Sequence, residues 1–210
     1  MPATPAPSPS PGGVAAVVLA GGGGVRLGGL DKHAIEVDGQ TLLEHALEVT
    51  DGSEDVVVVG PEVPTSRPVV FAREDPVGGG PAAGLLAGIE AVRQVRGALP
   101  DRVVALAVDM PLVTRRTVTR LLDALAEDTE ADGVVLVDGE GRRQSLCAVY
   151  RVRPLLDSVP ARWTSTYGLP MRRLLFGLHL VELPADPGEA HDIDTWEDLR
   201  DLEGFREPDE

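Results

Sequence analysis

The chain has 210 residues, 34 acidic against 19 basic, and a formal charge of -15 at neutral pH. That length suits one domain with a sizeable core, and the acidic excess repels nucleic acid and anionic membrane surfaces, with no basic block to offset it. Aromatic residues make up only 3%, so the core must rest on Val, Leu and Ala; the lone Cys147 excludes an internal disulfide and suits a reducing cytoplasm.

Residues 1–13, MPATPAPSPSPGG, lack the basic start and apolar middle of a signal peptide and read as a mobile, partly extended Pro-rich tail. A domain over 14–204 follows, then a short tail over 205–210. No apolar segment approaches the length of a membrane span. Val14–Leu19 has the length and β-branched content of a buried strand. It opens into Leu19-Ala20-Gly21-Gly22-Gly23-Gly24-Val25-Arg26-Leu27-Gly28-Gly29-Leu30-Asp31-Lys32, a loop of little bulk whose backbone N–H groups suit phosphate oxygens. The loop does not fit G-x-G-x-x-G, and Lys32 is followed by His33 rather than Ser or Thr, so neither a dinucleotide fingerprint nor a Walker loop is present. The plainer alternative is a flexible glycine turn bearing a solvated arginine.

Thr41 and Glu44 form a capping-box pattern ahead of Leu42, Leu43, Ala46 and Leu47. Val56–Val59 and the shorter Pro68–Phe71 are apolar runs. Glu74-Asp75-Pro76-Val77-Gly78-Gly79-Gly80-Pro81 is a second glycine loop, entering a helix marked by Leu85, Ile89 and Val92. Val103–Val108 is a continuous run ending at Asp109-Met110-Pro111. A helix after Thr114 is marked by Val118, Leu121, Leu122 and Leu125, and Val134–Val137 is a further run. Pro170 suits the first helical turn before Leu174, Leu175 and Leu178. Thr195 and Asp198 resemble another capped start, ahead of Leu199 and Leu202.

Continuous rather than alternating runs, separated by helices, imply strands covered on both faces. The expected fold is a single-domain, three-layer α/β/α structure with a Rossmann-like, mostly parallel sheet. Ligands in such sheets sit beyond the carboxyl ends of the strands. Asp109, at the end of one strand and held by the following X-Pro unit, offers hard oxygen ligands suited to Mg²⁺ beside phosphates; a turn or cap aspartate is the equal alternative. Asp192 and Asp194 stand two apart beyond His191, and in an extended segment only one of them can readily join Asp109 on a metal. For Asp198, a helix-start carboxylate facing the macrodipole is the preferred reading.

Together these segments resemble the molybdenum cofactor guanylyltransferase family, whose loop reads approximately Leu-Ala-Gly-Gly-x-Ser-x-Arg-Met-Gly followed by Asp-Lys. Leu19 to Gly22, Arg26, Gly28, Asp31 and Lys32 match it. Asp75 with Gly80, Pro81 and Gly84 resembles the second loop, Val108-Asp109-Met110-Pro111 the metal-binding strand end, and Gln144 to Arg151 the late Gln-Pro-Leu strand. Asp192-Ile193-Asp194-Thr195 resembles the closing Asn-x-Asn-Thr. The departures are Gly24 for Ser or Ala, Gly60 for an Asn that often helps hold the base, Ser145 for Pro, and two Asp for two Asn, which is nearer the related cytidylyltransferases.

The resemblance implies a nucleotidyltransferase with a glycosyltransferase-A-like fold that joins GMP from GTP to molybdopterin and releases pyrophosphate. It implies Mg²⁺ on Asp109 with Asp192 or Asp194, and Arg26 and Lys32 neutralising the triphosphate. Leu19, Ala20, Gly21 and Gly22 would lie against the nucleotide, with Asp75 near the nucleoside. Arg142, Arg143, Arg172 and Arg173 offer charge for a pterin phosphate, beside their reading as solvated surface. A cytoplasmic monomer is expected, with a molybdoenzyme or cofactor-biosynthesis protein as partner. The rivals are a cytidylyltransferase or other small-molecule phosphate nucleotidyltransferase, and a non-catalytic nucleotide-binding module.

Overall fold

In a computed structural model, which describes residues 13–21, 32–161 and 166–204, seven strands form one sheet in the order β5-β4-β1-β6-β8-β7-β9. These are β1 (Val14–Leu19), β4 (Asp55–Val59), β5 (Val70–Ala72), β6 (Arg102–Ala107), β7 (Gly133–Val137), β8 (Arg143–Arg151) and β9 (Leu180–Pro184). β2 (Glu36–Val37) and β3 (Gln40–Thr41) make a separate hairpin, turned by Asp38 and Gly39 at positive φ, as an Asp-Gly pair favours. β8 runs antiparallel to both β6 and β7; the other sheet pairings are parallel.

The three-layer expectation holds, and the strand runs explain it. Along β1, Ala16 and Val18 face one core, with α1 (Leu42–Val49), α3 (Arg115–Glu127) and α6 (Trp196–Gly204). Ala15, Val17 and Leu19 face the other, with α2 (Pro81–Arg96), α4 (Val152–Asp157) and α5 (Met171–Leu174). Successive strand side chains point to opposite faces, so a strand covered twice must be apolar throughout. On α2, Gly88 lets the helix lie close to the sheet: a Cβ there would stand 2.4 Å from Val17 Cγ1.

Several boundaries and elements differ from the sequence reading. β5 starts at Val70, because its pairing with β4 starts at Val57 opposite Val70, beyond Pro68 and its missing N–H. Pro170 is the N-cap of α5 rather than a residue of its first turn, and α5 ends at Leu174. There the chain leaves through tighter turns, the Phe176 N–H reaching the Arg173 carbonyl and the Leu178 N–H that of Leu175. β9 was not expected; it is a five-residue edge strand with an exposed glutamate and a terminal proline.

Candidate nucleotide-binding cleft

The order β4-β1-β6 sets three strand ends side by side, with Leu19 in register with Val59 on one side and Ala107 on the other. The chain beyond them walls a cleft of about 710 Å³. Leu19, Ala20 and Gly21 form one wall, Gly60 and Pro61 the next, and Val108 and Asp109 the third; Gly80 and Pro81, where α2 begins, close it. The first turn of a 16-residue helix at this wall favours negative charge.

The backbone of the first wall is largely committed to the fold. Ala20 and Gly21 both donate their N–H groups to the Val59 carbonyl, at 2.9 and 3.1 Å, and the Leu19 carbonyl accepts from Val108 N–H at 3.1 Å. Those two N–H groups hold the loop on β4 rather than point at a ligand. This contact also accounts for Gly60. A Cβ there would lie 3.1 Å from the Ala20 carbonyl carbon and 3.2 Å from Gly21 N, so any side chain would push the loop away.

Arg73 and Glu74 line the cleft; the sequence reading had Glu74 only as the start of the second glycine loop and did not name Arg73. Arg73 donates from Nε to the Gly60 carbonyl at 3.3 Å, and the Glu74 carboxylate accepts the Gly78 N–H at 3.0 Å. Asp75 lies instead in the neighbouring groove between β5 and α2. Arg73 and Glu74 line both that groove and the cleft, whereas Asp75, at the bend that follows, lines the groove alone. The signal for Glu74 was available: a charged residue two beyond a strand end is well placed for the cleft in this class of sheet.

Asp109 is half-buried in the cleft wall, and its carbonyl accepts the N–H of Ile193 at 2.8 Å. That bond brings Asp192 and Asp194, eighty-odd residues away in sequence, beside Asp109. Ile193 between them is fully buried in the α1–α3–α6 core, whereas Asp192 is exposed and Asp194 half-buried. Thr195 and Asp198 complete the expected capping box at α6: Asp198 accepts from Thr195 N–H at 2.6 Å and Asp194 N–H at 2.9 Å, and Thr195 Oγ1 accepts from Asp198 N–H. Partial burial pushes the Asp198 pKa up, but these hydrogen bonds and nearby His191 outweigh it and hold the carboxyl below its ordinary range. Among the described residues no group of three or more His, Cys, Asp or Glu is arranged to hold a metal ion.

Arg142 pairs with Asp138 at 2.9 Å and Glu140 at 3.1 Å, and Arg143 with Glu182 at 2.7 Å, so both carry local countercharge. Arg142 and Arg143 line a second depression with Asp192, Gln144 and His191; Arg172 and Arg173 are exposed on α5, away from both. Gly22 and Arg26 lie outside the described residues. Lys32 opens a short 3₁₀ turn, Lys32–Ala34, and its side chain also lies outside the description. No helix among the described residues is long and apolar enough to cross a membrane.

The model of the MobA-like NTP transferase domain family matches residues 16–179. The chain belongs to this family. It is thereby a nucleotidyltransferase. A molybdenum cofactor guanylyltransferase of Rhodopseudomonas palustris is 30% identical over 92% of this chain and 94% of its own length. Another, of Acidiphilium cryptum, is 36% identical, but over 54% of this chain and 59% of that protein, less than two thirds of its length. The crystal structure of molybdopterin-guanine dinucleotide biosynthesis protein A from Archaeoglobus fulgidus superposes with a TM-score of 0.68 at 22% identity, covering 91% of this chain and 97% of that one. This last likeness establishes the shared fold.

Proposed function

We propose that the chain transfers GMP from GTP to the phosphate of molybdopterin, with Mg²⁺, releasing pyrophosphate. An oxygen of the acceptor phosphate forms the new bond to the α-phosphorus as the bond from that phosphorus to the bridging oxygen of the β-phosphate breaks. A phosphate monoester is already anionic at neutral pH, so no general base is required. The task is to bring two anions together in a protein of charge -15.

The observation that carries this reading is the cleft itself, whose walls join Leu19, Ala20 and Gly21, the start of α2 and Asp109. The near-full-length relative named as a guanylyltransferase supports the choice of reaction. Arg26 and Lys32 would neutralise the triphosphate and the departing pyrophosphate, with the Gly22 backbone N–H as a hydrogen-bond donor. Arg73, bonded to the Gly60 carbonyl, and Glu74 line the cleft where Asp75 does not, and suit contact with the base or ribose.

A divalent metal fits the carboxylates present. Mg²⁺ commonly takes one or two carboxylates, with substrate phosphates and water filling the rest, so a cage of three protein ligands is not needed. The Ile193-to-Asp109 bond brings a second carboxylate-bearing segment beside the first. Asp109 with Asp192 or Asp194 would hold the ion, which would screen the phosphates and stabilise the charge moving onto pyrophosphate. Cys147 is buried and its thiol pKa is pushed up to about 12, first by burial and then by Glu189, so it takes no part as a nucleophile. We further place the protein in the cytoplasm as a monomer.

The test is a screen of GTP, CTP, ATP and UTP with Mg²⁺ and molybdopterin, reading pyrophosphate release and the mass of the product. The expected result is a guanine dinucleotide from GTP in at least tenfold preference. Preference for CTP would replace the reading with a cytidylyltransferase, the alternative that the Asp-Ile-Asp segment favours. Binding of nucleotides without turnover would reduce the chain to a binding module.

A further inference from the structure

Glu189 is a buried carboxylate that the proposed chemistry does not use: it is only 6% exposed and lies in the irregular segment after β9. Four hydrogen bonds surround it. The Thr117 hydroxyl donates to Oε1, Arg120 donates to both oxygens at 3.0 and 2.9 Å, and the Asp186 N–H donates to Oε2 at 2.8 Å. Arg120 also reaches the Pro184 carbonyl at 2.6 Å and the Asp186 carboxylate at 3.2 Å. A buried ion pair is weak evidence for stability, since an apolar set of equal volume often does as well. What such a pair supplies is direction.

The direction matters because of what lies on either side. Residues 185–195 contain no regular helix or strand; beyond the Ala185 N–H, which bonds the Val137 carbonyl at the end of β7, no ladder holds them, and only short turns such as His191 N–H to the Gly188 carbonyl shape the chain locally. Their long-range ties flanking Asp192 are at Glu189 and at Ile193, whose N–H meets the Asp109 carbonyl; Asp194 follows immediately, its N–H held locally by Asp198. The Thr117 hydroxyl also accepts the Thr114 N–H at 3.0 Å, within the capping box that starts α3 five residues after Asp109. One hydroxyl therefore ties the chain leaving Asp109 to the chain approaching Asp192.

We infer that Thr117, Arg120 and Glu189 are positioning residues that set the 192–194 segment against Asp109 and so shape the divalent-cation site. This rests on the metal reading given under the proposed function. None of the three touches the cleft; they act through the backbone. Support of this kind behind a metal ligand changes metal affinity by about 10- to 100-fold when removed.

The test is Mn²⁺ binding, followed by paramagnetic resonance, to the full chain in the presence of a non-hydrolysable GTP analogue. Glu189→Gln and the near-isosteric Thr117→Val are compared with the parent, and Asp109→Ala is the control. Thermal melting and affinity for the analogue without metal are measured alongside. The expected result is that Glu189→Gln and Thr117→Val weaken Mn²⁺ about tenfold or more, with metal-free analogue affinity unchanged. In turnover, the Mg²⁺ needed for half the maximal rate should rise more than the maximal rate falls. Unchanged Mn²⁺ affinity in every folded variant of the cluster, with only a lowered melting temperature, would overturn the inference and leave the cluster purely structural. If Asp109→Ala itself retains Mn²⁺ binding, the metal reading fails and takes this inference with it. If Asp109→Ala abolishes binding while the other two keep it, this inference alone fails.

Discussion

Gly60 and Asp109 stand at the ends of neighbouring strands, and the sequence treats them very differently. Asp109 announces itself as a charge closing an apolar run. Gly60 looked like a lost base-holding side chain, until its contact with Ala20 and Gly21 gave it a role of its own. Gly60→Asn is therefore expected to disturb the first loop rather than restore a base contact. Overpacking of this kind costs about 1–3 kcal/mol; urea denaturation should show the loss, and calorimetry should show weaker, not tighter, nucleotide binding. Unchanged stability with tighter binding would mean that the loop yields to the side chain. Arg73 was missed, and Glu74 was given no site role, for a related reason. Which of three consecutive charged residues faces a cleft depends on where the strand stops pairing, and β5 stops pairing at Ala72.

Among the elements, the helices were the most legible. Thr41 caps α1 and accepts from Glu44 N–H, Thr114 and Thr117 form a full capping box at α3, and Thr195 with Asp198 forms one at α6. Capping is short-range chemistry, carried within four residues, so the sequence displays it. At α6 the box has a pH consequence. The folded-state pKa of Asp198 lies below its unfolded value of about 4. Its contribution is thus fully present above that unfolded value and is lost as pH falls through the lower folded value. Asp198→Ala should shift the melting temperature down at pH 7, and the difference from the parent should shrink toward pH 3. A constant difference across that range would assign the effect to packing. The edge strand β9 was the least legible element, because its Glu182 interrupts the apolar run and its partner β7 lies more than forty residues back.

At the scale of the whole molecule, two apolar layers clamp one sheet, and each should report loss of packing independently of the cleft. Leu121, fully buried between α3 and the sheet, is expected to cost about 2–5 kcal/mol when cut to Ala. Equilibrium urea unfolding should show that loss with an unchanged slope, while nucleotide affinity at saturating folded protein stays near that of the parent. A matching collapse of affinity would mean that α3 is coupled to the cleft more directly than through Thr117 and Glu189.

The sequence by itself determined the three-layer class, the capped helices, the order of the strand runs and the strand-end position of Asp109. Each of these depends on side-chain periodicity or on contacts a few residues long. Only the tertiary structure decided that β8 runs antiparallel between β6 and β7, that Glu74 rather than Asp75 faces the cleft, and that Asp192 and Asp194 come beside Asp109. These depend on which strands pair and in what register. A carbonyl at position 109 meets an N–H at position 193 because both chains are fixed by cores that lie between them in sequence. No local pattern carries that information.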